Sequence, residues 1–381
     1  MSTLFVPRER RPGEARVAAT PETVKRLIKE GHAVWVEGGA GDGAHLADAA
    51  YEAAGARLVE ARAGWEGAEL VLKVGPLEPD GEAALLRRGA AVIGLLAPHQ
   101  NLPMVQTLAA RGASALSMEL VPRITRAQKM DALSSQASIA GYKAVLLAAA
   151  ELDKYFPLLM TAAGTVQPAR VVVMGAGVAG LQAVATARRL GAVVEVTDIR
   201  PAAKEQVLSL GGRFIDLPMQ ESGEGAGGYA REVSADFLRR QQEIVANHVA
   251  AADVVITTAL VPGKPAPRLV TKEMVERMRT GAVIVDLAVE QGGNCELSVP
   301  GEEVVRHGVK IIGRPNLPST VPGDASMLYA RNVLEVVLHV AKGGTLQLDT
   351  ADEIVAAMLL THGGEVLHGP TAEKLKEARA C

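Results

Sequence analysis

The stretch "VVVMGAGVAGLQA", residues 171–183, constrains this chain more than any other. Four β-favouring residues run into a cluster of glycines and then into helix-compatible residues, which reads as a strand, a tight turn and a buried helix. Gly175 allows the turn, Gly177 lets the backbone approach a pyrophosphate, and Gly180 permits close packing of helix on strand, so that the helix N-terminus faces the anion. A glycine pattern alone is weak, and a purely structural turn is the bland alternative. Here the next strand, "AVVEVTDIR", ends in Asp198, which is the context a dinucleotide fingerprint requires. A carboxylate there accepts hydrogen bonds from two ribose hydroxyls and repels a 2′-phosphate, so NAD is expected over NADP. Arg200, two residues on, softens that repulsion.

The rest of the chain alternates in the same way. "AVWVEGG", "ELVLKVG", "AVIGLLAP" and "ASALSMEL" read as buried parallel strands, with "PETVKRLIKEGH" and "NLPMVQTLAARG" as helices between them. "SSQASIAGYKAVLLAAAELDKYF" reads as a long helix closed by Pro157. Beyond it, "ARVVVMGAG", "AVVEVTDIR", "GRFIDL", "ADVVITTAL", "GAVIVDLAV" and "GVKIIG" supply six strands, enough for a dinucleotide-binding sheet. A second long helical stretch, 326–342, carries the chain back. The expected class is therefore α/β, with two doubly wound Rossmann-like domains of parallel sheet joined by two long helices. The expected boundaries are 1–133 plus 343–381 for a discontinuous N-terminal domain, 134–160 and 326–342 for the linking helices, and 161–325 for the NAD-binding domain.

Composition removes several function classes. A formal net charge of −3 and 3% aromatic residues offer neither a basic footprint nor stacking platforms for nucleic acid. Cys295 and Cys381, the two cysteines, fit no metal spacing or disulfide framework, and no metal is expected. No secretory leader opens the chain, and the uncharged run 171–187 is interrupted by glycines that argue against a membrane helix.

An alcohol or amine dehydrogenase must handle a proton as well as a hydride. Two candidates for that work are His99 in "LLAPHQN" and Glu290 in "LAVEQGG", each at the end of an expected strand. The segment "VPRITRAQKMD", 121–131, by itself reads as a charged helix start. The glycine-rich segment 217–234 reads as a surface connection, or as a lid whose Tyr229 reaches a ligand.

Taken together, "ERRPGEARVAATPETVKRL", "MELVPRITRAQKMDALSSQASIAGYKAV", "TAAGTVQPARVVVMGAGVAGLQAVATARRLGA", "TDIRPAAKEQVLSLGG", "TTALVPGKPAP" and "VIVDLAVEQGGNCELS" closely resemble the NAD-binding α subunit of proton-translocating nicotinamide nucleotide transhydrogenase. The scaffold is shared with alanine dehydrogenase. The resemblance runs from about residue 7 to beyond 330, and it implies roles position by position. Arg123, Gln128 and Asp131 match a loop beside the nicotinamide, where they would hold its carboxamide and set the catalytic geometry; Ser134 matches a nearby nucleotide contact. Gly175, Gly177, Val178 and Gly180 match the phosphate-binding turn, and Asp198 and Arg200 match adenosine-side contacts. Gly228 and Tyr229 match a mobile loop that closes over NAD, with Gln241 near it and Leu260 lining the cleft.

The resemblance further implies hydride transfer from NADH on this chain to NADP+ on a partner, with proton translocation by membrane partners. The expected partners are a second copy of the chain, an NADP-binding β subunit and a small membrane-spanning α subunit. The chain reaches Cys381 without a membrane segment, so the split form is expected: cytoplasmic, peripheral to the inner (plasma) membrane through its partners, with no insertion of its own. The rival is an alanine dehydrogenase-like enzyme, whose substrate-binding Arg and Lys have counterparts in Arg16 and Lys73. Its catalytic His has no convincing match, since His99 is displaced, and Glu290 stands where that family has Asp. A catalytically silent NAD-sensing subunit is a third reading.

Overall fold

The computed structural model describes residues 1–217, 235–260 and 264–380, with the backbone alone at 235–239 and 379–380. The chain divides into two compact units, Met1–Gln136 with Pro318–Cys381, and Ala137–Leu317. Both are α/β units built on a mainly parallel sheet.

The first unit holds eight strands in the order Glu365–Val366, Leu359–His362, Ser114–Ser117, Ala91–Gly94, Leu70–Leu72, Thr3–Val6, Ala33–Glu37 and Arg57–Val59. All neighbours are parallel from Ser114–Ser117 to Arg57–Val59, whereas Leu359–His362 and Glu365–Val366 pair antiparallel. The four expected strands are present, with "ASALSMEL" shortened to Ser114–Ser117 and a following 3-10 turn, Met118–Leu120. Four strands were not foreseen, among them the central Thr3–Val6, too short and too close to the charged run after it to show a pattern. Helix Pro21–Lys29 starts where expected: Thr20 and Thr23 form a reciprocal capping box that satisfies two otherwise orphaned amides.

Helix Pro322–Val340 was read from sequence as a link beginning at 326. It starts four residues earlier, at Pro322, and buries Tyr329, Val333, Val336, Val337 and Val340 in the core of the first unit. The apolar face that made it legible as a helix is therefore spent on this unit's sheet. Helix Ala132–Glu151 contains the point at which the chain leaves the first unit, between Gln136 and Ala137.

The second unit holds seven strands in the order Arg213–Phe214, Val193–Thr197, Arg170–Met174, Val254–Thr257, Val283–Asp286, Val309–Ile312 and Glu303–Arg306. The first six, parallel, are the six read from the sequence, and the seventh is an antiparallel edge strand. The four central strands are mostly Val, Ile and Met, as a sheet covered on both faces demands. A separate hairpin, Leu159–Thr161 with Gly164–Val166, stands apart from this sheet.

Candidate functional site

Strand Arg170–Met174 lies between Val193–Thr197, which follows it in sequence, and Val254–Thr257, which comes two strands later. The strand order therefore reverses beside Met174, and open α/β sheets take ligands outside the carboxyl ends of their strands at such a point. The glycine turn emerges there. Gly175 has φ +105° and its amide donates to the Thr197 carbonyl at 2.8 Å. Gly177 caps helix Val178–Arg189 without any side-chain acceptor for the first helical amides. Those amides are orphaned donors at the positive end of the helix, which favours an anion. A Cβ placed on Gly177 would meet nothing within 4 Å, whereas one on Gly180 would lie 1.8 Å from the Gly175 carbonyl oxygen. The turn is thus packed tightly on the protein side and open on the other, as a cradle for a diphosphate must be. Val178 is exposed beside it.

Asp198 follows strand Val193–Thr197, and its Oδ2 accepts from the Ala176 amide at 2.7 Å. Oδ1 accepts from the Arg200 amide at 2.8 Å, and the Arg200 guanidinium bridges both oxygens at 3.0 Å each. Burial alone would raise the pKa of this carboxyl, but Arg200 and the two amides outweigh it and hold it below the ordinary aspartate value. Each oxygen already accepts two hydrogen bonds, so all four lone-pair positions are engaged. A ribose diol reaches Asp198 only if the Arg200 side chain moves aside. The Arg200 side chain is 60% exposed, so water can take over its guanidinium as it swings away, while the Asp198 side chain, 7% exposed, keeps the Ala176 and Arg200 amides.

A third side of the turn was missed in the sequence. Thr258 donates from its hydroxyl to the Gly175 carbonyl at 3.0 Å, and its amide donates to Met174 at 2.9 Å. The fully buried Asn294 then grips the following residues: its Oδ1 accepts from the Ala259 amide at 3.0 Å, and its Nδ2 donates to the carbonyls of Ala259 and Pro267 at 2.9 and 2.8 Å. Asn294 is in turn held by the buried Asp286, which accepts from its amide at 3.2 Å and also from Thr257, Ala288, Cys295 and Ser298. This network sets the backbone that presents the exposed Leu260. The only hint in the sequence was a carboxylate ending the apolar strand "VIVD".

The remaining expected positions fall as follows. Gln241 is half-buried on helix Ala235–Ala251. Gly228 and Tyr229 lie outside the described residues. Glu290 accepts from the Asn316 amide at 3.1 Å.

In the first unit, "VPRITRAQKMD" is not a regular helix start. It forms a 3-10 turn, Thr125–Met130, before helix Ala132–Glu151. The turn is pinned from within, because Ala127 and Met130 are buried and Asn332 donates to the Lys129 carbonyl at 2.7 Å. Asp131 accepts from the Ser134 amide at 2.9 Å and from its hydroxyl at 2.6 Å, so these two expected site residues are brought together as a helix cap. Arg126 points to Asp352 and Glu353. Arg123 and Gln128 are exposed, and among the described residues neither side chain makes a hydrogen bond or ion pair. A rigid turn thus presents two uncommitted donors.

His99 lies against His368, with ring centroids 5.5 Å apart, and burial together with Lys374 keeps it below the ordinary histidine value. Its Nδ1 is buried without a hydrogen-bond partner among the described residues. A general base is normally oriented by an acceptor at that nitrogen.

Residues 5–140 match the family described as alanine dehydrogenase/PNT, N-terminal domain, and residues 144–369 match its C-terminal domain. A protein of Rhodospirillum rubrum, named as the first portion of an NAD(P) transhydrogenase subunit alpha, is 52% identical over 374 residues, covering 96% of this chain and 97% of that one. The crystal structure of a transhydrogenase from Sinorhizobium meliloti superposes with a TM-score of 0.87 at 48% identity, over 96% of this chain and 99% of that one. An L-alanine dehydrogenase structure gives 0.84 at 29% identity, over 98% and 99%.

Proposed function

The chain belongs to the alanine dehydrogenase/PNT family, and from that premise we propose that it is the NAD(H)-binding subunit of a proton-translocating NAD(P) transhydrogenase. The observation that carries the reading is the open glycine turn at the strand-order reversal of the second unit, with Asp198 tied to it through Ala176. NADH, when bound, supplies the hydride, and NADP+ on a partner subunit receives it.

The chain's own residues bind and orient. The orphaned amides that open helix Val178–Arg189 after Gly177 hold the diphosphate, with Val178 beside it. Asp198 takes the ribose hydroxyls after Arg200 swings away, and the freed guanidinium turns to the adenosine side. Leu260, fixed by Asn294, packs against the nucleotide. Arg123 and Gln128 donate to the nicotinamide carboxamide oxygen or a phosphate, while Asp131 and Ser134 accept and donate beside them. Hydride exchange between two nicotinamides involves no net proton, so these residues need only fix the ring and exclude water, and most of the acceleration is proximity. An unoriented His99 fits that chemistry.

Among the described residues no helix is long and apolar enough to cross a membrane. Attachment to the membrane and proton movement are assigned in this reading to the partner subunits of a transhydrogenase. The hairpin Leu159–Val166 and its approach expose Tyr155, Leu158 and Met160, the last by 80%, which supports a second copy of the chain as one partner.

The test is rapid-mixing hydride transfer from NADH to an NADP+ analogue, with the chain alone and with an NADP-binding transhydrogenase domain. Fast transfer only in the mixture is the expected result. The second reading, an amino-acid dehydrogenase, is favoured by the buried Arg16 and Lys73. It would be established by NADH oxidation with pyruvate and ammonia by this chain alone.

A further inference from the structure

The second unit carries a concentration of positive charge at the edge of its sheet opposite the glycine turn. Arg170, Val193 and Arg213 are the first residues of three neighbouring parallel strands, so they stand together at the amino ends, whereas the turn emerges at the carboxyl ends. The length of strand Arg170–Met174 puts about 13 Å between the two edges. At the amino edge a cleft of about 480 Å3 is lined by Lys154, Arg170, Arg213 and Arg279, with Gln167 beside them. Among the described residues that line it, none is acidic.

Two carboxylates serve these four cations. Asp253 Oδ2 accepts from Lys154 Nζ and from the Arg170 amide, both at 2.8 Å, and its Oδ1 lies 3.3 Å from Arg279 Nη1. Glu195 Oε2 faces His248 Nδ1 at 3.0 Å and Arg170 Nη2 at 3.6 Å. Arg279 also donates from Nη2 to the Ala251 carbonyl at 2.8 Å. The Arg213 side chain is exposed and makes neither a hydrogen bond nor an ion pair among the described residues. With histidine counted neutral, the cleft therefore keeps an excess of two positive charges. A concave wall of low dielectric focuses such a charge rather than letting water disperse it. The Arg170 and Arg279 side chains are 43% and 54% exposed, and surface ion pairs of this kind add little to stability, so the needs of the fold do not explain the convergence. Three of the four cations are guanidinium forks, the shape that matches phosphate oxygens. A peptide would find little to bury here, since Pro168 and Val193 are the only apolar side chains among the described residues lining the cleft.

We infer that this cleft binds a phosphorylated ligand carrying at least two negative charges, with Arg213 as its first contact and Arg170 and Arg279 turning guanidinium donors to its oxygens. Lys154 stays with Asp253 and forms the wall. The site is separate from the glycine turn at Gly177, and the inference does not rest on the transhydrogenase reading.

Inorganic pyrophosphate is the probe. The whole chain is titrated calorimetrically at constant ionic strength in sodium chloride, with NADH at saturation so that the glycine turn is already filled. Wild type should show one saturable event per chain, weakening as chloride is raised. Arg213→Gln should weaken it roughly tenfold, and Arg170→Gln/Arg213→Gln roughly a hundredfold, one factor of about ten for each charge-assisted hydrogen bond lost. Both variants change exposed side chains and should melt within about 2 °C of wild type, so that lost binding is not lost folding. If NADH does not bind, the nucleotide reading fails on its own account, and the same titration without NADH still decides, because the double variant alters only the cleft. The inference is overturned if wild type gives no saturable heat or if the double variant binds pyrophosphate as tightly as wild type. It is overturned too if a pentaglutamate peptide binds as tightly as pyrophosphate and loses its affinity in the double variant, which would make the cleft a docking place for acidic protein.

Discussion

Gly177→Ala and Gly180→Ala should separate ligand binding from packing at positions three residues apart. At Gly177 the backbone has φ −75° and ψ −170°, which alanine adopts freely, and the added methyl meets no atom within 4 Å. The folded chain should lose nothing, and the lower entropy of the unfolded chain can add about 0.4–1 kcal/mol. The methyl nevertheless projects into the space the diphosphate needs. Losing one charged hydrogen bond there costs about 1.5–3 kcal/mol, or roughly 10- to 150-fold in the NADH Kd. At Gly180 the methyl would sit 1.8 Å from the Gly175 oxygen and 3.2 Å from Thr258 Oγ1. The helix must retreat by roughly 1.2 Å or more, an overpacking cost of about 1–3 kcal/mol, which lowers the melting temperature by roughly 2–10 °C. Its displaced N-terminus should weaken NADH as well. Melting without nucleotide and NADH titration by fluorescence measure the two effects. Gly177→Ala binding NADH within about twofold of wild type would refute the assignment of that open space to the diphosphate.

Asp198→Asn should raise the NADH Kd roughly tenfold and narrow the preference over NADPH, since the charge that repels a 2′-phosphate is gone; titration with both nucleotides checks this. The folded pKa of Asp198 lies below its ordinary value of 3.8. Its ionised form therefore stabilises the fold above pH 3.8, and that contribution disappears only as pH falls through the lower folded value. The gap in urea stability between wild type and Asp198→Asn should stay constant from roughly pH 8 to roughly pH 5 and close below roughly pH 4. Asn294→Ala strands the amide and carbonyl of Ala259 and the carbonyl of Pro267, at about 1–3 kcal/mol for each buried group, and should lower both melting temperature and NADH affinity. Gln128→Asn should slow hydride transfer to the NADP-binding partner roughly 10- to 100-fold while changing NADH affinity less than about threefold, because a shortened amide misplaces the ring without removing the other contacts; equal losses in rapid-mixing transfer and in affinity would make Gln128 a binding group only.

The second unit was legible because its strands are long apolar runs and its glycines stand at fixed offsets from a strand and an acidic residue. Backbone conformation dictates residue type at such positions, so the sequence carries the geometry. Thr258, Asn294 and Asp286 were illegible because hydrogen bonds between residues as far as 84 apart leave no local pattern. Thr3–Val6 was missed for a related reason: four residues at the centre of a sheet need no alternation, and their burial is decided by neighbours far along the chain. The segment 121–131 misled in the opposite direction. Its charges read as a solvated helix start, but the structure separates them into Arg126, turned to Asp352 and Glu353, and Asp131, turned to Ser134, from Arg123 and Gln128, which stay uncommitted. The family resemblance had singled out Arg123, Gln128 and Asp131 together.

The two units reach the same architecture and use its one privileged place in opposite ways. At Met174 the strand-order reversal is lined by backbone amides, kept open by glycines, and flanked by a single carboxylate whose counter-ion is exposed and easily moved. In the first unit the strand order reverses between Val6 and Leu72, and the corresponding place is lined by two buried cations, Lys73 and Arg16, whose counter-ions Glu9, Glu82 and Glu14 are buried with them. The energetics of opening differ accordingly. Moving Arg200 off Asp198 releases an exposed guanidinium to water and leaves the carboxylate held by the Ala176 and Arg200 amides. Parting Lys73 from Glu9 and Glu82 would leave buried charges uncompensated, at about 3–5 kcal/mol. A ligand that gains its affinity at the first place need not compete at the second.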